Sequence, residues 1–314
     1  MKRFLLKLSV FVLLIISSCL LVFSLADGRT DAFYLKFTTD TQSALIVGSS
    51  RAAQGIQPQV LKSIMGVSMY NYAFSIEQTP YGTAYNNSIA KKLKPNTSEG
   101  FFIIEVNPWS VSDHILQSGA IRYRDKDTYI AKTQHVDWHP NFEYMTESYS
   151  DKNIFILRNR QRVGDDQTFF VHDSGWLEVY LDANLEAQKA RIDRKLKDYA
   201  LKLPHYTPSE RRLNALENTI QFLQSHGTVV LVRMPIMNQM LEIENQLMPK
   251  FDVVLQALAN QTQTVYLNYS NTTAKYEFTD GHHLTVDSGK QFSEHLASEL
   301  LLLQTRAYTP LKTP

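Results

Sequence analysis

The sequence predicts a three-layer α/β/α domain: a mostly parallel, five-stranded sheet between helices, with one apolar helix ahead of it. Three observations predict it. Short, mostly apolar runs recur at Ala44 to Val47, Phe101 to Val106 and Thr228 to Val232, the pattern of strands buried on both faces. Segments of helical periodicity separate these runs, which implies parallel βαβ units with right-handed crossovers. Glycine, asparagine or proline stops each of the first two runs abruptly at its carboxyl end, at Gly48-Ser49-Ser50 and at Asn107-Pro108.

The chain opens with Lys2, Arg3 and Lys7, and Leu8 to Ala26 is then free of charge. That length is close to the ~20 residues that span a bilayer. Residues 1–26 read as a signal anchor with its basic end in the cytoplasm. A cleaved signal peptide is the alternative, with Ser24-Leu25-Ala26 as its processing site. Ile16-Ser17-Ser18-Cys19 resembles a lipobox, but Leu20 to Phe23 continues the apolar run beyond the cysteine. Each reading puts the domain outside the cytoplasm. Residues 27–41 form a juxtamembrane linker with aromatics at Phe33, Tyr34 and Phe37, suited to a membrane interface or to packing on the domain.

The domain itself is expected over residues 42–306. After the first strand, Pro58, Val60, Leu61 and Ile64 mark a helix. Val67 to Phe74 reads as the second strand, Glu77 to Leu93 as a helix ending before Pro95, and Phe101 to Val106 as the third strand. Residues 110–181 are rich in Tyr, Asp, His, Arg and Gln, and are expected to form an insertion over the carboxyl edge of the sheet as a lid or substrate platform. Charged Asp182 to Leu203 reads as a helix. Thr207-Pro208-Ser209-Glu210 opens the next, which runs to Gly227 as its C′ residue. Thr228 to Arg233 is the fourth strand and Thr264 to Leu267 the fifth. Between them Pro249 splits a helical stretch, and Asp287 to Leu303 is an amphipathic final helix. Residues 307–314 are a tail.

With 314 residues, 44% of them hydrophobic, the chain buries a substantial core. A net charge of +1 gives no footprint for nucleic acid. The single cysteine, Cys19, lies in the apolar leader, which excludes disulfides, cysteine nucleophiles and thiolate metal sites from the domain.

Strand carboxyl ends are where ligands bind in open α/β sheets. Ser50 stands there at a helix start, as a capping residue or as a nucleophile. Far downstream comes Thr279-Asp280-Gly281-His282-His283. Asp280 and His283, one turn apart, have the spacing for a carboxylate that orients an imidazole. The imidazole can then take the proton of Ser50, since geometry and not chain order defines such a triad. His282 is the rival base. The Ser50 N–H and the Asn107 amide are candidate oxyanion donors. Asn107 also suits a turn before proline. Arg51 and Arg233 are candidate substrate-binding residues. Arg233 suits a carboxylate or phosphate, or else a structural ion pair. His135 and His139 have i,i+4 spacing, but Pro140 ends that run, so no metal is expected, and no organic cofactor.

Gly48-Ser49-Ser50 near the N-terminus and Asp280-Gly281-His282-His283 near the C-terminus resemble the first and last blocks of the SGNH/GDSL hydrolase superfamily. The stretch Leu45-Ile46-Val47-Gly48-Ser49-Ser50-Arg51-Ala52 resembles bacterial membrane-anchored SGNH-like proteins, related to those of alginate O-acetylation and teichoic acid D-alanylation. The resemblance implies an SGNH, flavodoxin-like fold. It implies ester hydrolysis or O-acyl transfer on an acylated envelope glycan, with Ser50, His283 and Asp280 as triad. Asn107 falls at the asparagine of the third block. Some such relatives work beside a membrane-bound O-acyltransferase. The second block usually carries a glycine whose N–H serves the oxyanion hole; Asn71-Tyr72-Ala73-Phe74-Ser75 has none, so the resemblance leaves Asn71 or Ser75 as the further oxyanion donor in its place. A degenerate domain that binds glycan or a partner without catalysis is the alternative.

Overall fold

A computed structural model of the chain describes residues 1–27, 29, 31–123, 125–148, 156–157, 169–181 and 184–307. Helix α1 (Lys2–Ser24) is one helix long and apolar enough to cross a membrane. After it come β1 (Leu45–Val47), α2 (Ser50–Gly55), α3 (Pro58–Met65), β2 (Tyr70–Asn71), α4 (Thr83–Lys92) and β3 (Gly100–Glu105). Residues 106–209 add β4 (Ser112–Ile115), β5 (Ile121–Arg122), α5 (Tyr129–Lys132), α6 (Phe142–Glu147), β6 (Phe169–Val171), β7 (Leu177–Val179), α7 (Leu185–Lys202) and β8 (Tyr206–Pro208). The chain closes with α8 (Glu210–Gln224), β9 (Gly227–Arg233), α9 (Asn238–Leu247), α10 (Phe251–Gln261), β10 (Val265–Asn268) and α11 (Val286–Ala307).

The main sheet has five strands in the order β10-β9-β3-β1-β2, and every pairing is parallel. Successive side chains on a strand point to opposite faces. Leu45, Val47, Phe102, Ile104, Val229 and Leu231 therefore face one way, onto Tyr85 and Ile89 of α4, Leu216 and Ile220 of α8, and Phe251 and Leu255 of α10. Ile46, Phe101, Ile103, Val230 and Val232 face the other way, onto Ala52 and Ala53 of α2, Leu61 of α3, and Phe292 and Leu296 of α11. Both faces are covered, which is why these strands read as mostly apolar runs. Each large apolar side chain buried here contributes about 1.5–3 kcal/mol.

Several boundaries differ from the sequence expectation. The first helix is two, α2 and α3, because Pro58 starts a new helix at its first position. The second strand is shorter than Val67 to Phe74, although Tyr72 and Phe74 still donate to the Ile46 and Gly48 carbonyls. Helix α4 starts after Gly82, past Pro80, not at Glu77. Pro208 belongs to β8, and Ser209 caps α8 instead, accepting from Arg212 N.

Residues 31–39 pack on the domain. Tyr34 and Phe37 are fully buried, and Lys36 donates to the carbonyls of Asn71, Ala73 and Gly175 at 2.7–2.8 Å. The lysine therefore satisfies carbonyls at the outer edge of β2, just beyond it, and in the turn of the neighbouring hairpin. Val22, Phe23 and Leu25 at the end of α1 pack on the same core. The insertion is likewise spread out. Its β6–β7 hairpin lies beside β2, with Asn71 N donating to Ser174 O, and the end of β7 reaches the cavity walled by Met237, Phe278 and Thr279. Strands β4, β5 and β8 form a small antiparallel sheet. Parts of the expected insertion (149–155, 158–168) and the tail from 308 lie outside the described residues.

Candidate active site

The order of the sheet places its switch point at β1, with β2 on one side and β3 on the other. The crevice at the carboxyl ends of β1 and β3 receives the serine turn from one strand and Asn107 from the other. Gly48 makes the turn. Its φ of +142° lies where a side chain is strained, and a Cβ there would lie 2.6 Å from Glu105 Cβ. Ser49 is the N-cap of α2, its Oγ accepting from Arg51 N at 3.4 Å. Ser50 is the first residue of the helix and is half-buried.

The loop after β10 reaches this crevice by passing the tips of β9 and β3. Gly281, with φ +97°, turns the loop. Asp280 Oδ1 then accepts from His283 N at 3.1 Å, and Oδ2 lies 2.9 Å from His283 Nδ1. The other ring nitrogen, Nε2, stands 2.8 Å from Ser50 Oγ. With Nδ1–H donating to Asp280, Nε2 is the acceptor of the serine proton; the tautomer is assigned from these partners. Helix α7 braces the loop from outside. Lys195 pairs with Asp280 at 3.3 Å, Gln188 donates to Phe278 O and Arg191 to Thr279 O.

The two neighbouring histidines differ in environment. Burial drives the His282 pKa well below its usual value, and the charges of His283, Arg51 and Lys195 push the same way against Asp280. Its Nδ1 is buried without a hydrogen-bond partner, 4.0 Å from Asp280 Oδ1. His282 is thus a neutral ring packed on Tyr199, with centroids 5.1 Å apart. For Asp280, burial acts to raise the carboxyl pKa. The charge and hydrogen bond of His283, with His282 and Lys195, outweigh it and hold the group well below the usual carboxylate range.

Asn107 lies at the end of β3, 2% exposed. Its Oδ1 accepts from Ser110 N, and its Nδ2 donates to Glu105 Oε1 at 2.8 Å and to Ser49 Oγ at 3.2 Å. The amide thus faces the serine turn. Asn71 does not. Its Nδ2 donates to the carbonyls of Ala52 and Ile56 at 2.9 Å, and its Oδ1 accepts from Ala73 N, so its amide fastens α2 to β2. Ser75 offers its carbonyl to Gln78 N and Thr79 N.

The arginines are also otherwise engaged. Arg51 Nη2 donates to Glu244 Oε1 at 2.6 Å, while Arg233 donates to Glu244 Oε2 at 2.9 Å and to Asp252 at 2.7 Å. Arg51, Arg233 and Glu244 are 4%, 1% and 0% exposed, so the two guanidiniums are interior ion-pair partners and not surfaces for a substrate anion. His135 stacks on Trp138 and lies 3.1 Å from Glu143. Among the described residues, Asp280, His282 and His283 place potential ligand atoms within 4.8 Å of one another. A metal there would displace the Asp280–His283 bond. A cavity of about 760 Å³ opens beside this loop, walled by Phe278, Thr279, Met237, Gln188 and Arg191; neither Ser50 nor His283 lines it.

Sequence reasoning missed Glu105, Glu244, Lys195 and Tyr199. For Glu105 a signal exists: it is the one charge in the run Phe101 to Val106. No protein-family model matches the chain, and no curated protein matches it significantly. Among solved structures, the inhibitor-bound form of an M. smegmatis aryl esterase is similar at a TM-score of 0.39 and 12% identity, covering 83% of this chain and 98% of that one. At those values the likeness carries no argument about this chain; the α/β architecture rests on the parallel sheet described above.

Proposed function

We propose that the chain is a serine ester hydrolase or O-acyltransferase of SGNH type, anchored by its N-terminal helix with the domain outside the cytoplasm. One observation carries the reading: the continuous hydrogen-bond chain from Ser50 Oγ through the His283 ring to Asp280. Ser50 Oγ attacks the ester carbonyl as its proton passes to His283 Nε2. Asp280, ionised, stabilises the imidazolium and holds the ring in place. The oxyanion takes hydrogen bonds from the Ser50 N–H and the Asn107 amide. His283 returns the proton to the leaving alkoxide, leaving acyl-Ser50. Water or an acceptor hydroxyl, deprotonated by His283, then releases the acyl group. Hydrolysis and transfer share every step but the identity of that acceptor.

An acylated envelope glycan is the substrate class this reading favours, with a membrane-bound acyltransferase as a partner in the transfer case. The test is labelling of the full chain with a fluorophosphonate. Covalent labelling at Ser50, absent in Ser50→Ala and His283→Ala, is expected. A chain that takes no label while folded overturns the reading.

A further inference from the structure

Glu105 is a carboxylate with no exposure at all, at the tip of a strand whose other residues are apolar or glycine. A buried carboxylate is costly unless its oxygens are satisfied. Here Oε2 accepts from Ser49 N at 2.7 Å and Oε1 from Asn107 Nδ2 at 2.8 Å. One acceptor pair therefore ties together the tips of β1 and β3, and both donors flank the serine. The Ser49 peptide immediately precedes Ser50, and the Asn107 amide faces the Ser49 hydroxyl.

The chemistry of the pair sets the orientation. A carboxylate oxygen is an acceptor, so Asn107 must present its NH₂ to Glu105 and its Oδ1 to Ser110 N. With the first Nδ2 hydrogen held by Glu105, the second is aimed at the serine turn, in a 3.2 Å contact with Ser49 Oγ. That longer bond is the one exchanged when an oxyanion forms. We propose that Glu105 is a positioning residue: it fixes the Asn107 amide as an oxyanion donor and holds the Ser49–Ser50 peptide in register with it. The proposal rests on the triad reading above and assigns Glu105 no contact with the substrate.

Glu105→Gln changes one oxygen to NH₂. It confronts either the Ser49 N–H or the Asn107 amide with a second donor. The experiment measures fluorophosphonate inactivation of the full chain in detergent, separating the limiting rate from the half-saturating concentration. Glu105→Gln is expected to lower the limiting rate about 10- to 100-fold with little change in half-saturation, because the lost interaction acts in the transition state. Asn107→Ala combined with Glu105→Gln is expected to lose less than the product of the two single losses, because the share of the Glu105 effect that runs through Asn107 is already gone while the tie to Ser49 N remains. A role confined to stability would leave the limiting rate of the folded protein unchanged. Glu105→Asp, which keeps the charge but retracts it by one methylene, gives the same rate defect and serves if the glutamine variant does not fold. An unchanged limiting rate in both variants, a silent Asn107→Ala, or losses that multiply in the double variant would each overturn the proposal. A wild-type chain that takes no label overturns the triad reading instead, and is read before any variant.

Discussion

His283 Nε2 stands 2.8 Å from Ser50 Oγ, although 233 positions of chain separate the two residues. The contact exists because parallel strands open their carboxyl ends on one edge, and the loop after β10 crosses two strand tips to reach β1.

If the three residues act as one unit, Ser50→Ala, His283→Ala and the double variant should lose ester turnover to the same extent, about 10⁴-fold or more. Asp280→Ala should lose less. Steady-state turnover of a chromogenic ester checks this. Full activity in His283→Ala with none in His282→Ala would mean that the base is the other ring.

His282 makes stability pH-dependent. Its pKa is lowered in the folded chain, so the unfolded chain binds more protons just below the ordinary histidine pKa near 6.5. Its contribution is complete above about pH 6.5 and is lost as pH falls below it. The thermal midpoint should therefore drop from pH 7 to pH 5.5, and His282→Phe should flatten that slope. An unaltered slope in the variant would assign the acid sensitivity elsewhere.

Arg233→Ala should act on stability. Removing it leaves one oxygen of fully buried Glu244 without its partner, while Asp252 keeps the Tyr266 hydroxyl. Breaking a buried pair costs about 3–5 kcal/mol, to be read from denaturant unfolding. A loss of substrate affinity at unchanged stability would restore Arg233 to the binding role.

Gly48→Ala should displace the serine turn. The new methyl meets Glu105 Cβ at 2.6 Å, in a backbone conformation that alanine rarely adopts. Strain of about 1–3 kcal/mol is expected, with slower labelling of Ser50 in whatever folds. Wild-type stability and labelling together would show that the turn tolerates a side chain.

An alkaline phosphatase fused to the C-terminus should be active in cells, because Lys2, Arg3 and Lys7 precede the uncharged run. Activity confined to a cytoplasmic reporter would reverse the orientation.

The sequence by itself determined the parallel α/β architecture and the residue types at its carboxyl edge. Those are short-range properties. A strand buried on both faces is mostly apolar, a tight turn selects Gly48, and Asp280 and His283 meet within one turn of backbone. Only the tertiary structure decided which polar groups pair across elements. It gave Asn71 to the α2 carbonyls, Arg51 and Arg233 to Glu244, and Lys36 to the β2 edge. It also separated His282 from His283, adjacent in sequence, by packing His282 against Tyr199 and turning His283 to Ser50. The reason is physical. A hydrogen bond or ion pair depends on a partner tens or hundreds of residues away, and strand order, not local pattern, brings that partner within 3 Å.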